Sequence, residues 1–321
     1  MKVSAVQFCH APGDVAGNLA QVVGFVQQGA MIGVQVMIFP ECCLPGYWHL
    51  RNLSRSQLEE LAERIPEGDS SQSVLKMAKR YQMTIGVGLL EVSQDGRLFN
   101  SFFIANADGS WANHRKIHCF ISPHLDSGDS YTVFNGPGNH RFGVLTCYDN
   151  NLIENVRATA LLGAEILLAP HQTGGCDSGS PGAMGVIPTE LWERRDERWK
   201  ELVAECNGDK GRGWLMRWLP SRAHDSGMFL VFSNGVGRDD NEVRTGNSMI
   251  LDPYGRILKE AEEPREMLVT AELDFGLRDR STGVRWMQAR RPELYELLTK
   301  RTGSEKDTRT VRFDHLGPAE R

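Results

Sequence analysis

Long hydrophobic runs are missing from this chain. The longest, such as residues 228–232, are strand-sized, far short of the roughly 18 apolar residues a membrane-spanning helix needs. Gln7, His10 and Asp14 interrupt the start, so a secretory leader is not expected either. The seven cysteines are odd in number and irregularly spaced, form no CxxC, and include the adjacent pair Cys42-Cys43. That argues against a disulfide framework or a zinc site and for a reduced, cytoplasmic protein. Basic clusters are absent as well: Lys plus Arg number 36 against 41 Asp plus Glu, a net charge of −5, so neither nucleic acid nor a membrane is an expected partner. GxSxG, HExxH, GxGxxG and Walker A patterns do not occur, which removes motif support for serine hydrolases, zincins and nucleotide binders.

What is present is the composition of a folded α/β chain. With 321 residues, 40% apolar and 24% charged, it can bury most of its unfolded surface without staples. Strand-like runs at residues 2–8 and 34–39 flank a helical pattern at 15–28. Ser54 to Gln57 has capping-box form before a helix, and 74–81 reads as another. Strands at 84–92, 98–106 and 111–117 are joined by the turn signals Asp95-Gly96 and Asp108-Gly109. The same grammar then recurs: strand 141–146, helix 152–162, strand 165–169, helices 190–206 and 214–224, and strands 229–232, 245–251 and 268–273. The ends Val-Met-Ile-Phe-Pro40-Glu41 and Ile-Leu-Leu-Ala-Pro170-His171 correspond. Two β-α-β-α-β-β passes predict two sheets stacked face to face with helices outside, a four-layer α-β-β-α sandwich built from an internal pseudo-repeat.

Three segments carry candidate chemistry: Phe39-Pro40-Glu41 closing a buried strand, His114-Arg115-Lys116-Ile117-His118 ending another, and Leu145-Thr146-Cys147-Tyr148-Asp149 where a strand meets a helix. Taken singly, each would be ordinary: a surface carboxylate, a solvated lysine, a small core thiol. A strand-to-helix turn, however, lifts a nucleophile onto a sharp corner, where the helix start favours a thiolate. His114 and His118 lie too far apart on a strand to share a metal ion, and no metal site is expected.

Together these segments resemble the nitrilase (carbon-nitrogen hydrolase) superfamily. The likeness covers roughly residues 1–280 and includes the downstream GAEILLAP (163–170), SNGVG (233–237) and DPYG (252–255). It implies a triad of Glu41 (general base), Lys116 (oxyanion stabiliser) and Cys147 (nucleophile), with the Tyr148 backbone N–H as a second oxyanion donor. It also implies a cofactor-free reaction through a thioester and a homo-oligomer. Tyr47 and Trp48 follow the base and are candidate pocket walls, as is His171. The remaining stretch, 281–321, is read as a helix and a charged end, either a mobile tail or an arm lying on a partner subunit, and 171–220 as an extended insertion or lid.

The sequence departs from the family in ways that narrow the substrate. Many members carry a second Glu that orients the lysine, but 117–146 contains none; His124, Asp126 or Asp129 are the substitutes on offer. Tyr148-Asp149 after the cysteine is the amidase-like pattern rather than the nitrile-hydrolysing one. Asn150-Asn151 stands where carbamoyl amino acid hydrolases place an arginine, which favours a neutral acyl group, with Arg194, Arg195 or Arg217 as possible cations from the insertion. The expected activity is hydrolysis of a small linear amide. An N-carbamoyl substrate, acyl transfer on the same triad, and a non-catalytic scaffold are the alternatives.

Overall fold

A computed structural model describes residues 1–316; residues 317–321, the end of the charged arm, lie outside the described residues. The chain begins with β1 (Lys2–Gln7), α1 (Val15–Met31) and β2 (Val36–Ile38), followed by α2 (Arg55–Leu61), the two-residue β3 (Ala62–Glu63) and α3 (Asp69–Tyr81). Asp14 caps α1 by accepting from Gly17 N at 2.9 Å, and Ser54 and Gln57 form the capping box of α2. β4 (Thr84–Val92), β5 (Leu98–Ala105) and β6 (Trp111–Arg115) form a meander, and the short β7 (Leu125–Asp126) pairs with the start of β5.

The second half runs through β8 (Thr132–Asn135), β9 (Arg141–Val144), α4 (Ile153–Leu161) and β10 (Ile166–His171), then α5 (Thr189–Glu193), α6 (Trp199–Asn207), α7 (Arg212–Leu215) and α8 (Leu219–His224). β11 (Phe229–Asn234) is followed by a hairpin of β12 (Val236–Asp239) and β13 (Glu242–Thr245), then β14 (Met249–Leu251), β15 (Ile257–Glu260) and β16 (Met267–Glu272). α9 (Thr282–Gln288) and α10 (Thr308–Phe313) close the described chain.

The pseudo-repeat is visible in the strand order. One sheet runs β16-β1-β2-β4-β5-β6 and the other β8-β9-β10-β11-β14-β15. In each, one antiparallel pair is followed by two parallel and two antiparallel pairs. β2 and β10 therefore occupy equivalent central places. Their inner faces meet in one core, where Val3, Val36 and Ile38 of the first sheet pack with Val144, Leu168 and Val231 of the second. The outer face of the first sheet packs on α1 and α3 through Val22, Val26 and Val74. That of the second packs on α4 and α8 through Val156, Leu219 and Ala223. The result is the four-layer sandwich, with near-continuously buried central strands as parallel pairing requires.

Local backbone chemistry explains where the elements differ from expectation. The helix expected at 214–224 is two, because Pro220 fits the first turn of α8 but would break a continuing helix. The one expected at 190–206 is also interrupted, between α5 and α6. The strand expected at 245–251 is broken by Gly246 (φ 73°) and Asn247 (φ 58°), whose left-handed backbone separates β13 from β14. The β12–β13 hairpin escaped notice because Val-Gly-Arg-Asp and Glu-Val-Arg-Thr lack a strand's apolar signal. Among the described residues no helix is long and apolar enough to cross a membrane.

One glycine ties the sheet to the site. Gly88 of β4 lies against the Pro40–Cys42 turn, and a β-carbon there would stand 2.2 Å from Cys42 N and 2.6 Å from Pro40 O. Both are backbone atoms and cannot swing aside. Gly88→Ala should therefore cost about 1–3 kcal/mol, the usual range for overpacking, and displace Glu41. Urea unfolding and the rate of Cys147 modification should both report the change.

Candidate active site

Glu41, Lys116 and Cys147 are far apart in sequence, but the fold brings them to the same end of the two sheets. Glu41 follows β2 and is fully buried. Lys116 follows β6, where its backbone N–H continues the sheet by donating to Asn100 O at 2.8 Å. Strand alternation then separates the two adjacent cations. Arg115 turns outward to Glu91 and stacks on Phe99, whereas Lys116 turns inward and lies 2.6 Å from Glu41 Oε1.

Cys147 follows β9 at the head of a short 3-10 turn (Cys147–Asn150), with φ at 49°. A non-glycine residue rarely takes this left-handed conformation, and the surroundings must hold it there. Asp149 does much of that holding. Its buried carboxylate accepts from Thr146 N (3.2 Å), Ile117 N (3.2 Å) and His118 N (2.8 Å), and pairs with His114 Nε2 at 3.4 Å. One side chain thus fastens the lysine segment to the cysteine turn. Burial pushes its carboxyl up, but the His114 hydrogen bond and nearby positive charges outweigh this and hold it below the usual range.

The electrostatics follow from burial. Glu41 Oε1 accepts from Lys116 Nζ at 2.6 Å and Asn100 Nδ2 at 2.7 Å. Oε2 is buried and takes no hydrogen bond from any described group, leaving it able to accept a proton from the neighbouring thiol. Burial alone would lower the Lys116 pKa, but Glu41, with Tyr47 and Cys147, reverses that and raises it well above the ordinary value. Its ammonium is also flanked by the rings of Phe120 (4.7 Å) and Tyr47 (5.5 Å). Burial, then the Glu41 charge, pushes the Cys147 thiol up to about 12, against the opposing pull of Lys116. Cys147 is therefore held as a neutral thiol. The thiolate favoured by a helix start does not form in advance, because desolvation and a nearby carboxylate outweigh a single short turn.

A cavity of about 250 Å³ opens onto the sulfur and is walled by Tyr47, Trp48, Phe120 and Tyr148. The 171–220 stretch contributes Gln172, Cys176, Met184 and Trp214 to it. His171, the counterpart of Glu41 in the repeat, is not a wall. It is buried on Phe232 (4.6 Å) and hydrogen-bonds Asn150 at 3.1 Å, and burial with the Lys116 charge lowers its pKa far below the ordinary value. His124 and Asp126 do not orient the lysine. Asp126 and Asp129 are exposed, because β7 pairs at the outer start of β5, and His124 is only half-buried. Glu41 and the two aromatic rings occupy the surroundings of Lys116 where a second glutamate was sought. Cys42 is buried beside this group without lining the cavity. Among the described residues no cluster of His, Cys, Asp or Glu could hold a metal; His114 serves Asp149 and His118 pairs with Thr308.

Two further walls come from unexpected places. Arg244 of β13 is fully buried, lies 2.9 Å from Asp239 and 2.6 Å from Glu242, and stacks near Trp48. Asp239 also accepts from Trp48 N at 2.9 Å and pairs with His10 at 3.0 Å, fixing the Tyr47–Trp48 wall. Arg312 comes from α10, because the arm turns back on its own chain there and buries Phe313 against Trp48 and Phe120. No sequence signal marked Asn100, Arg244 or Arg312, since each is an ordinary polar residue until the fold buries it, and Asp149 stood out only as part of the cysteine motif, without its bridging role.

The carbon-nitrogen hydrolase family model matches residues 2–280. The chain belongs to that family. An (R)-stereoselective amidase of Pseudomonas sp is 30% identical to this carbon-nitrogen hydrolase over 278 residues, spanning 86% of this chain and 85% of that protein. A 2-oxoglutaramate amidase of Bacillus subtilis is 27% identical over 281 residues, spanning 85% and 90%. The crystal structure of an amidase from Nesterenkonia sp. superposes with a TM-score of 0.68 at 20% identity, covering 93% of this chain and 96% of that one. The fold is that of the nitrilase superfamily.

Removing one partner of the buried pair should be costly. Lys116→Met strands the Glu41 charge and should lower unfolding free energy by about 3–5 kcal/mol; the double variant E41Q/K116M should recover part of that loss in urea titrations. The thiol offers a second check. Removing the Glu41 charge leaves Lys116 as the dominant neighbour, so E41Q should lower the Cys147 pKa from about 12. The midpoint of iodoacetamide alkylation against pH, followed by mass spectrometry, should shift to lower pH.

Proposed function

We propose that this carbon-nitrogen hydrolase cleaves a small linear amide through a Cys147 thioester, with Glu41, Lys116 and Cys147 acting as a triad. The observation that carries the reading is the buried Glu41–Lys116 pair, 2.6 Å apart, whose charges act on the thiol of Cys147, the member of the three that lines the cavity. Amidases among the relatives support the amide over the nitrile.

The steps follow from the charges. Glu41 Oε2 takes the thiol proton as Cys147 Sγ attacks the amide carbon, so charge separation develops only with substrate in place. General-base assistance of this kind contributes roughly 10²–10⁴-fold. Lys116 and the Tyr148 N–H, at the open start of its turn, receive the developing oxyanion; each such donor is worth about 3 kcal/mol in measured cases. Glu41 then gives its proton to the leaving nitrogen, and ammonia or an amine departs as the thioester forms. A water deprotonated by Glu41 attacks the thioester and Cys147 is regenerated. No step of this route calls for a cofactor.

An N-carbamoyl substrate would follow the same steps and release carbon dioxide with ammonia. An amine in place of the water would make the enzyme an acyltransferase. The seven free thiols fit a reducing, cytoplasmic setting. We also propose a homo-oligomer, supported by exposed Ile153, Leu161, Trp286 and Leu298, which border or line an apolar groove of about 610 Å³ between α4 and the segment after α9.

Ammonia release from short aliphatic amides, set beside ureido compounds with carbon dioxide detection, should show turnover on the amides. Cys147→Ala should abolish it, with circular dichroism matching that of the wild type to show that the variant is folded. Turnover retained in that variant would overturn the triad.

A further inference from the structure

The Asn150-Asn151 pair pointed to a neutral substrate, since the arginine expected there is missing. The fold shows that Asn150 does not decide the matter. Asn150 Nδ2 is committed to Leu145 O at 2.6 Å and to His171 at 3.1 Å. The insertion's arginines are committed elsewhere: Arg194 to Glu197, Arg217 to Asp209 and Gly182, and Arg195 to Trp192 O. The cations that reach the cavity are Arg244 and Arg312.

Their surroundings differ. Arg244 is matched by contacts with two carboxylates, Asp239 and Glu242. Arg312 is 9% exposed and makes one hydrogen bond, from Nη2 to Asp177 O at 2.5 Å, with no ion pair to any described residue. The guanidinium lies near the rings of Phe313 (5.3 Å), Phe120 (5.6 Å) and Trp48 (5.8 Å), which hold it in place without neutralising it. Glu242 is near enough to feel its charge but is already in contact with Arg244. A guanidinium has five N–H donors, and burying a cation without a counter-ion is costly. Here Arg312 lines the cavity onto which the Cys147 sulfur opens.

We propose that Arg312 is a specificity-determining residue that receives a carboxylate at the far end of the substrate's acyl group. This rests on the amidase reading of the site. A cavity of about 250 Å³ is at the small end for ligand sites, so the substrate class is the monoamide of a short dicarboxylic acid. The amide sits over Cys147 and the acid reaches Arg312 in a two-pronged contact. The residue lies in α10, beyond the 2–280 stretch that the family shares, so this chain supplies the contact from its own C-terminal helix.

The test compares succinic acid monoamide with butyramide, which has a methyl group in place of the acid. The wild type should favour the monoamide by at least tenfold in kcat/KM. Arg312→Gln should collapse that ratio toward one, mostly through KM, and Arg312→Lys should leave an intermediate ratio because an ammonium cannot make the planar contact. Calorimetry on C147A and C147A/R312Q should show the same discrimination in binding alone. An unchanged ratio in R312Q, or no preference in the wild type, overturns the proposal while leaving the amidase reading intact. Arg312-dependent binding of the monoamide without turnover of any amide would sink the amidase reading instead. If R312Q does not fold, R312K decides: a ratio equal to that of the wild type overturns the proposal.

Discussion

The site depends on a fully buried ion pair between Glu41 and Lys116, 2.6 Å apart. Neither ion is tolerable in that place alone, since desolvating a single charge costs several kcal/mol. Together they form a preset charge arrangement with one carboxylate oxygen left over. This keeps the neighbouring thiol protonated until a substrate arrives, because a second anion would have to form beside the first. In the proposed reaction the nucleophile is therefore activated by the reaction itself, not stored as a thiolate.

The rest of the molecule can be read as the scaffold for that pair. Glu41 and Lys116 follow strands of one sheet, and Cys147 follows a strand of the other. They can meet only because the two sheets pack face to face with their strand ends on the same side. Asp149 bridges the seam, gathering backbone N–H groups from both sides of it. Gly88 allows the Glu41 turn to lie directly against β4. The Asp239 network holds Trp48 and Arg244 on the far wall, and α10 closes the wall beside them. The Glu41–Lys116–Cys147 group thus rests on the sheets, whereas the cavity walls include residues from an insertion, a hairpin and a terminal helix. Such a division lets the acyl pocket change without disturbing the ion pair.

Much of this was legible in one sequence, for identifiable reasons. Buried parallel strands such as 36–38 and 166–171 are apolar throughout, Asp-Gly pairs mark the hairpins, and the recurrence of the strand-Pro-polar ending betrays the repeat. Glu41, Lys116 and Cys147 stood out because their flanking residues match a family pattern in order. The walls were less visible. Tyr47 and Trp48 could be suggested by their nearness in sequence to Glu41, whereas His171 was suggested by the repeat and proved to support Asn150 from behind.

The amino-acid sequence by itself determined the layers, the repeat and the three chemically distinctive residues, because periodicity and local motif are properties of neighbours along the chain. Only the tertiary structure decided which charges are matched and which are not. Arg312, Arg244, Arg194 and Arg217 are the same residue type in sequence. What separates them is whether folding has buried the guanidinium and placed a carboxylate within reach, and that is a property of neighbours in space.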